Sequence, residues 1–131
     1  MSKYFVLLNS IDENVEEEVN LNINGIELTC FASICPYKIY ARKQYWVSFN
    51  FMIFDDYEVL KLEGTSDIGF ERVGESFDYF AYWLKGQLKD GMVDCGIQFE
   101  TDEVLLAEYG DLEGKFVKLR VDRIDVEFLE E

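Results

Sequence analysis

Three cysteines, 27 carboxylates and no histidine define the chemistry open to this chain of 131 residues. Without imidazole there is no Ser-His-Asp or Cys-His machinery and no histidine general base, which removes the commonest hydrolytic mechanisms. Neither G-x-x-x-x-G-K-[ST] nor G-x-G-x-x-G occurs, so the glycines build no phosphate loop. A pair of carboxylates set for glycoside hydrolysis is the remaining enzymatic option. With 27 acids, however, close pairs arise by chance, and the clusters "DEN", "VEEE" and "DDYE" lack the spacing of a calcium-binding loop. They read as solvated loops. The expectation is a protein that is not an enzyme, with no catalytic residue, no metal and no cofactor.

The cysteines read as structural. Cys30 shares a face with Leu28 and Ala32, and Cys95 shares one with Val93 and Ile97, so both should be buried thiols. Cys35 precedes Pro36, which ends a strand ladder because it has no N–H to donate, and should be the accessible one. Lys38 nearby would lower a thiol's pKa, but a strand-end cysteine is the preferred reading. An odd number of cysteines, two of them separated by only four residues, gives no complete disulfide framework. Reduced thiols fit a cytoplasmic protein.

The remaining chemistry lies in "CPYKIYARK", residues 35–43. Tyr37, Lys38, Tyr40, Arg42 and Lys43 stand here with no acid among them, while the chain as a whole carries a formal charge of -15. Aromatics interleaved with cations suit base stacking and phosphate contact, and Tyr and Arg are also enriched at protein-binding hot spots. A plain crossover loop whose cations offset neighbouring acids is the competing reading. The field of the whole chain repels nucleic acid and anionic membranes and attracts basic surfaces. A basic protein is therefore the expected partner, and nucleic acid is disfavoured.

Strands must hold this loop. In "VNLNINGIELTCFASI", Val19, Leu21 and Ile23 alternate with Asn20 and Asn22, and Asn24-Gly25 supplies the positive-φ pair of a type I′ turn. Folding there sets Ile23 against Ile26, Leu21 against Leu28 and Val19 against Cys30, all on one face. A second hairpin is expected about Asp55-Asp56, placing Phe51 against Leu60 and Phe49 against Leu62. On this reading "QYWVSFNF" is chiefly core. The segment "SFDYFAYWLKGQLKDG" has helical spacing as well. Gly86 and the alternation of residues 93–99 favour a strand turning at Asp90-Gly91, with Leu88 against Val93, Leu84 against Ile97 and Tyr82 against Phe99. In "GKFVKLRVDRIDVEFLEE" the apolar phase flips near Asp122-Arg123, and a β-bulge there would restore one inward face.

Strands near 3–9, 17–23, 26–34, 44–54, 57–63, 77–89, 92–100 and 115–129, with a short helix or turn between 101 and 114, make the fold mainly β. The predicted architecture is antiparallel hairpins forming a small barrel, oligonucleotide-binding-like, or a two-sheet sandwich. The length and 49% apolar content suit a single domain over residues 1–131 with one core. The N-terminal apolar run is shorter than the ~7–15 residues of a secretory signal, and the longest uncharged run, eleven residues, is well short of the ~20 that span a bilayer. In size and charge the chain resembles immunity proteins that neutralise nucleases, and nucleic-acid mimics. The function expected is that of a small acidic protein-binding module masking a basic partner surface. A small-ligand or oligonucleotide-binding β-barrel is the alternative.

Overall fold

A computed structural model describes residues 2–54, 57–63, 68–73, 80–101 and 107–130. The chain is mainly β and divides into two compact units, residues 1–50 with 123–131 and residues 51–122. The first unit carries ten acids and five bases, the second seventeen and seven. Both are therefore acidic.

The first unit is a ring of five strands. β1 (Tyr4–Ile11), β2 (Glu18–Ile23) and β3 (Ile26–Ile34) run as a meander, β4 (Gln44–Met52) returns beside β1, and the C-terminal strand Arg123–Phe128 fills the place between β3 and β4. The β2–β3 hairpin has the register that its sequence predicts, Ile23 opposite Ile26, Leu21 opposite Leu28 and Val19 opposite Cys30. Asn24 and Gly25 take φ of 50° and 86°, and the Asn22 side chain accepts a hydrogen bond from the Gly25 N–H at 3.2 Å. Turn chemistry and alternation agree here, so one register wins. Val6, Leu8, Leu21, Leu28, Ile124 and Val126 are fully buried and fill the interior.

The second unit is an open sheet. After β4 come β5 (Glu58–Lys61), β6 (Gly69–Arg72), β7 (Tyr82–Lys89), β8 (Met92–Asp94), β9 (Gln98–Glu100) and β10 (Phe116–Val121); the C-terminal strand of the ring is β11. The sheet order is β5-β10-β7-β8-β9, with β6 also on β7. Residues 107–109 are helical and lead into a 3-10 turn, Gly110–Leu112; the rest of the helix or turn expected between 101 and 114 falls partly outside the described residues.

Four expectations need correction. β4 and β5 form no hairpin: β5 pairs β10, with Leu60 opposite Lys118. Phe51 therefore does not face Leu60, and the expected turn at Asp55-Asp56 lies outside the described residues. Alternation reveals which face a strand buries but not which strand it joins. The β7–β8 hairpin begins as expected, Leu88 opposite Val93, then departs. A Cβ on Gly86 would clash with the Asp94 carbonyl and lie 2.8 Å from Cys95 Cα. That close approach marks where the chain leaves β7, turns through Gly96 at φ 100°, and doubles back so that β9 pairs β8, Val93 opposite Phe99. The vacated edge of β7 is taken by β6, which was not expected, with Phe70 opposite Leu84. The expected residues 77–79 of β7 lie outside the described residues.

The last correction concerns the phase flip. No bulge keeps 115–129 in one sheet: the strand breaks at Asp122, β10 pairing β7 and β5, and β11 belonging to the ring, where it runs parallel to β3. Val117, Leu119 and Val121 are buried before the break and Ile124, Val126 and Phe128 after it. Asp122 fixes the switch. Its N–H donates to the Met52 carbonyl at 2.8 Å, and its carboxylate accepts from the Phe54 N–H at 2.7 Å and from Arg120 at 3.0 Å.

Candidate functional site

The loop between β3 and β4 is held down at both ends. Arg42 sits in the left-handed region at φ 71°, and its N–H donates to the Leu8 carbonyl at 2.6 Å while the Leu8 N–H donates to Lys43 at 2.9 Å. The loop thereby extends the β1 ladder beyond β4. The Tyr37 hydroxyl donates to the Leu129 carbonyl at 2.8 Å, and its ring stacks on Tyr45 with centroids 5.9 Å apart. The Tyr45 hydroxyl in turn accepts the Tyr40 N–H at 2.8 Å. Burial pushes the Tyr37 phenol above its ordinary pKa, helped by the neighbouring Cys35, Tyr45 and Glu130.

The five loop residues therefore split. Tyr37 is a half-buried strut, whereas Lys38, Tyr40, Arg42 and Lys43 are exposed. Tyr40 is a platform for the chain's own cations, with Lys38 Nζ 5.4 Å and Lys43 Nζ 5.9 Å from its ring centroid. Two of the cations are thus drawn toward an aromatic face within the loop.

Beside the loop, where β4 begins and β11 ends, lies an open groove of ≈ 530 Å³. Phe5, Tyr37, Tyr45, Trp46 and Leu129 line it, and Gln44 and Glu130 supply its polar groups. The backbone is paired across this end, the Leu129 N–H donating to the Trp46 carbonyl at 2.9 Å. Phe5 and Trp46 lie directly opposite on β1 and β4 with ring centroids 5.0 Å apart, and they are 50% and 41% exposed. Leu7, one step along the same face, is also exposed. None of Lys38, Arg42 and Lys43 lines this groove.

Alternation makes "QYWVSFNF" chiefly core, with Trp46 on the mixed opposite face, and singles out neither Trp46 nor Phe5. The signal was present in "YFVLL", which puts large apolar residues on both faces of β1. Glu130 and Leu129 carry no local signal, since only the ring topology brings them to Tyr37.

A family model, Uncharacterised conserved protein UCP019853, matches residues 1–129. The chain belongs to this family. Its match spans both units and includes the β3–β4 loop and the groove residues up to Leu129; Glu130 lies beyond it. No curated protein and no solved structure matches the chain.

The other reactive groups of this family member are buried or lie along a second groove. Ile11, Glu16, Glu17, Cys35, Lys38 and Ile39 border a space of ≈ 450 Å³. The Cys35 thiol is exposed and donates to the Tyr37 carbonyl at 3.1 Å. Cys30 and Cys95 are buried and unpaired, the order of access that their strand positions imply. Burial raises both thiol pKa values, that of Cys95 to about 12. Asp125, almost fully buried, is raised by desolvation and partly restored by Arg123, whose Nε donates to it at 2.6 Å. Among the described residues no group of three or more Cys, Asp or Glu side chains is placed to hold a metal ion, and no helix is long and apolar enough to cross a membrane.

Proposed function

We propose that the chain is a protein-binding module that masks a basic surface of its partner, with the Phe5–Trp46 face of the ring as the contact. The observation that carries this reading is the bare aromatic pair: Phe5 and Trp46 stand side by side, about half exposed, on the outside of a sheet whose interior is already filled. Aromatic side chains left in water beside a groove are the usual anchors of a protein interface. The -15 charge supplies the other half of the argument, since an anionic body steers a cationic partner and repels nucleic acid. In size and charge this is similar to the way immunity proteins cover nucleases. Three free thiols accord with a cytoplasmic setting.

The alternative, a small-ligand or oligonucleotide-binding barrel, finds less support. The ring interior is lined by fully buried apolar side chains such as Val6, Leu8, Leu21 and Val126. Lys38 and Lys43 lie over Tyr40 and leave its ring less free for a stacked base.

The test uses the full chain as bait, identification of the basic protein retained, and titration of that protein in purified form. Affinity should drop as salt rises from about 50 to 300 mM, because screening shortens the Debye length to below ~10 Å. Indifference to salt, or micromolar binding of single-stranded RNA lost on Arg42→Ala with Lys43→Ala, would reverse the ranking.

A further inference from the structure

The groove joins two kinds of surface that seldom meet without a purpose. Phe5, Tyr37, Tyr45 and Trp46 line it together with Glu130, whose charge is near enough to raise the Tyr37 pKa. Aromatic faces carry negative potential and attract a cation, most strongly at Trp, and a carboxylate at the same place adds full charge. Among the described residues, no Lys or Arg of the chain lines it. Lys38 and Lys43 lie over Tyr40, and Arg123 lies over Phe31 and bonds Asp125. The Tyr37 hydroxyl, held on the Leu129 carbonyl, keeps one wall fixed.

We infer that the groove is the seat of one arginine side chain of the partner, its guanidinium stacked on Trp46 and paired with Glu130, its methylene stem lying along Phe5. Arginine fits better than lysine because its planar head stacks on a ring and meets a carboxylate in a fork, and because it is less strongly hydrated. The assignment rests on the partner-binding reading above and gives it a chemical anchor. The charge of the whole chain brings a basic surface close; the groove selects one residue on it.

The two tryptophans of the chain provide a built-in control. The full chain, labelled with ¹⁵N, is titrated at low salt with the peptide acetyl-Gly-Ser-Arg-Ser-Gly-amide and with counterparts carrying citrulline or leucine in place of arginine. The arginine peptide should move the Trp46 indole resonance and leave that of Trp83 in place. Citrulline, which keeps the shape and loses the charge, should bind about tenfold more weakly. Glu130→Gln, an exposed change, should weaken the arginine peptide about threefold without altering the rest of the spectrum, and Trp46→Leu should abolish the shifts that the same peptide causes at the backbone amides of Phe5 and Tyr45. Citrulline or leucine binding as well as arginine, or a response at Trp83 instead, overturns the assignment. The identified partner separates the two claims. If its affinity falls on Trp46→Ala while the peptides show no preference for charge, the anchor is wrong and the partner-binding reading stands. If the arginine peptide seats at Trp46 but the partner ignores Trp46→Ala, the anchor stands and the reading falls.

Discussion

Each unit carries one tryptophan on a sheet, and the two are treated differently. In the open sheet Trp83 is half-buried, and Lys118 Nζ lies 4.5 Å from its ring centroid. Lys118 stands opposite Lys85 on the neighbouring strand, a like-charge pairing that costs stability by itself. Glu71 offsets it, reaching Lys118 at 3.4 Å and Lys85 at 3.8 Å. In the ring, Trp46 packs its ring against Phe5 and stays 41% exposed. One tryptophan is roofed by a cation of the chain, and among the described residues no cation is placed over the other. On the proposed function, that difference separates a surface finished by the chain itself from one that a partner completes.

The largest effect is expected in the open sheet and has nothing to do with binding. Gly86→Ala would drive a Cβ into the Asp94 carbonyl, backbone that cannot swing aside, and should lower unfolding stability by about 3 kcal/mol. A loss below about 1 kcal/mol in urea titration would mean that the chain does not leave β7 at that point.

Next comes the tryptophan pair itself. Trp46→Ala should weaken partner binding about 30-fold, a loss of about 2 kcal/mol, at little cost in stability. Trp83→Ala should do the reverse. Equal effects on binding by calorimetry would erase the distinction.

Third is a pH effect with one buried thiol in each unit. Both Cys30 and Cys95 are held protonated in the folded state by burial, Cys95 up to about 12, while in the unfolded chain they ionise near the ordinary 9.0. The folded state then binds more protons, so stability falls as pH rises from about 9 toward 12. Each thiol should contribute about 1.4 kcal/mol per pH unit within that window. Cys95→Ala should remove one proton's worth of the slope, and an unchanged slope in denaturation from pH 9 to 10.5 would place the Cys95 thiol in water.

The smallest effect is expected from unroofing Trp83. Lys118→Ala removes a cation over the ring but also relieves the Lys85 repulsion, so the net loss should be below about 1 kcal/mol. Fluorescence should report Trp83 as more exposed, and a partner affinity changed more than twofold would mean that this face also takes part in binding.

How much of this was legible beforehand depended on whether two independent signals met. At Asn24-Gly25 the turn residues and the alternation on both sides specify one register, and the structure has it. At Asp90-Gly91 they agree only as far as Asp94, because the meaning of Gly86 lies in a backbone that approaches from elsewhere. At Asp55-Asp56 the turn chemistry is weak, and alternation alone chose the wrong partner for β4. The phase flip at Asp122 was read correctly as a change of face but assigned to a bulge, because a switch between sheets depends on pairing distant in sequence. The candidate site was half legible. The loop residues stand out by composition, while Trp46 falls on the mixed face of a segment that reads as chiefly core, and Glu130 reaches Tyr37 only through the ring.

That ring has a further consequence, for the order in which the protein can be made. Its first four strands end at Met52, but the place between β3 and β4 is filled by residues 123–128. A ribosome must deliver the whole of residues 53–122 before the final strand exists. Throughout that interval β3 and β4 lack the neighbour between them, with backbone N–H and C=O groups unpaired and open to another chain. Closure over so long a separation is entropically slow, and a chain cut at Asp122 keeps every other strand of the ring yet cannot shut it.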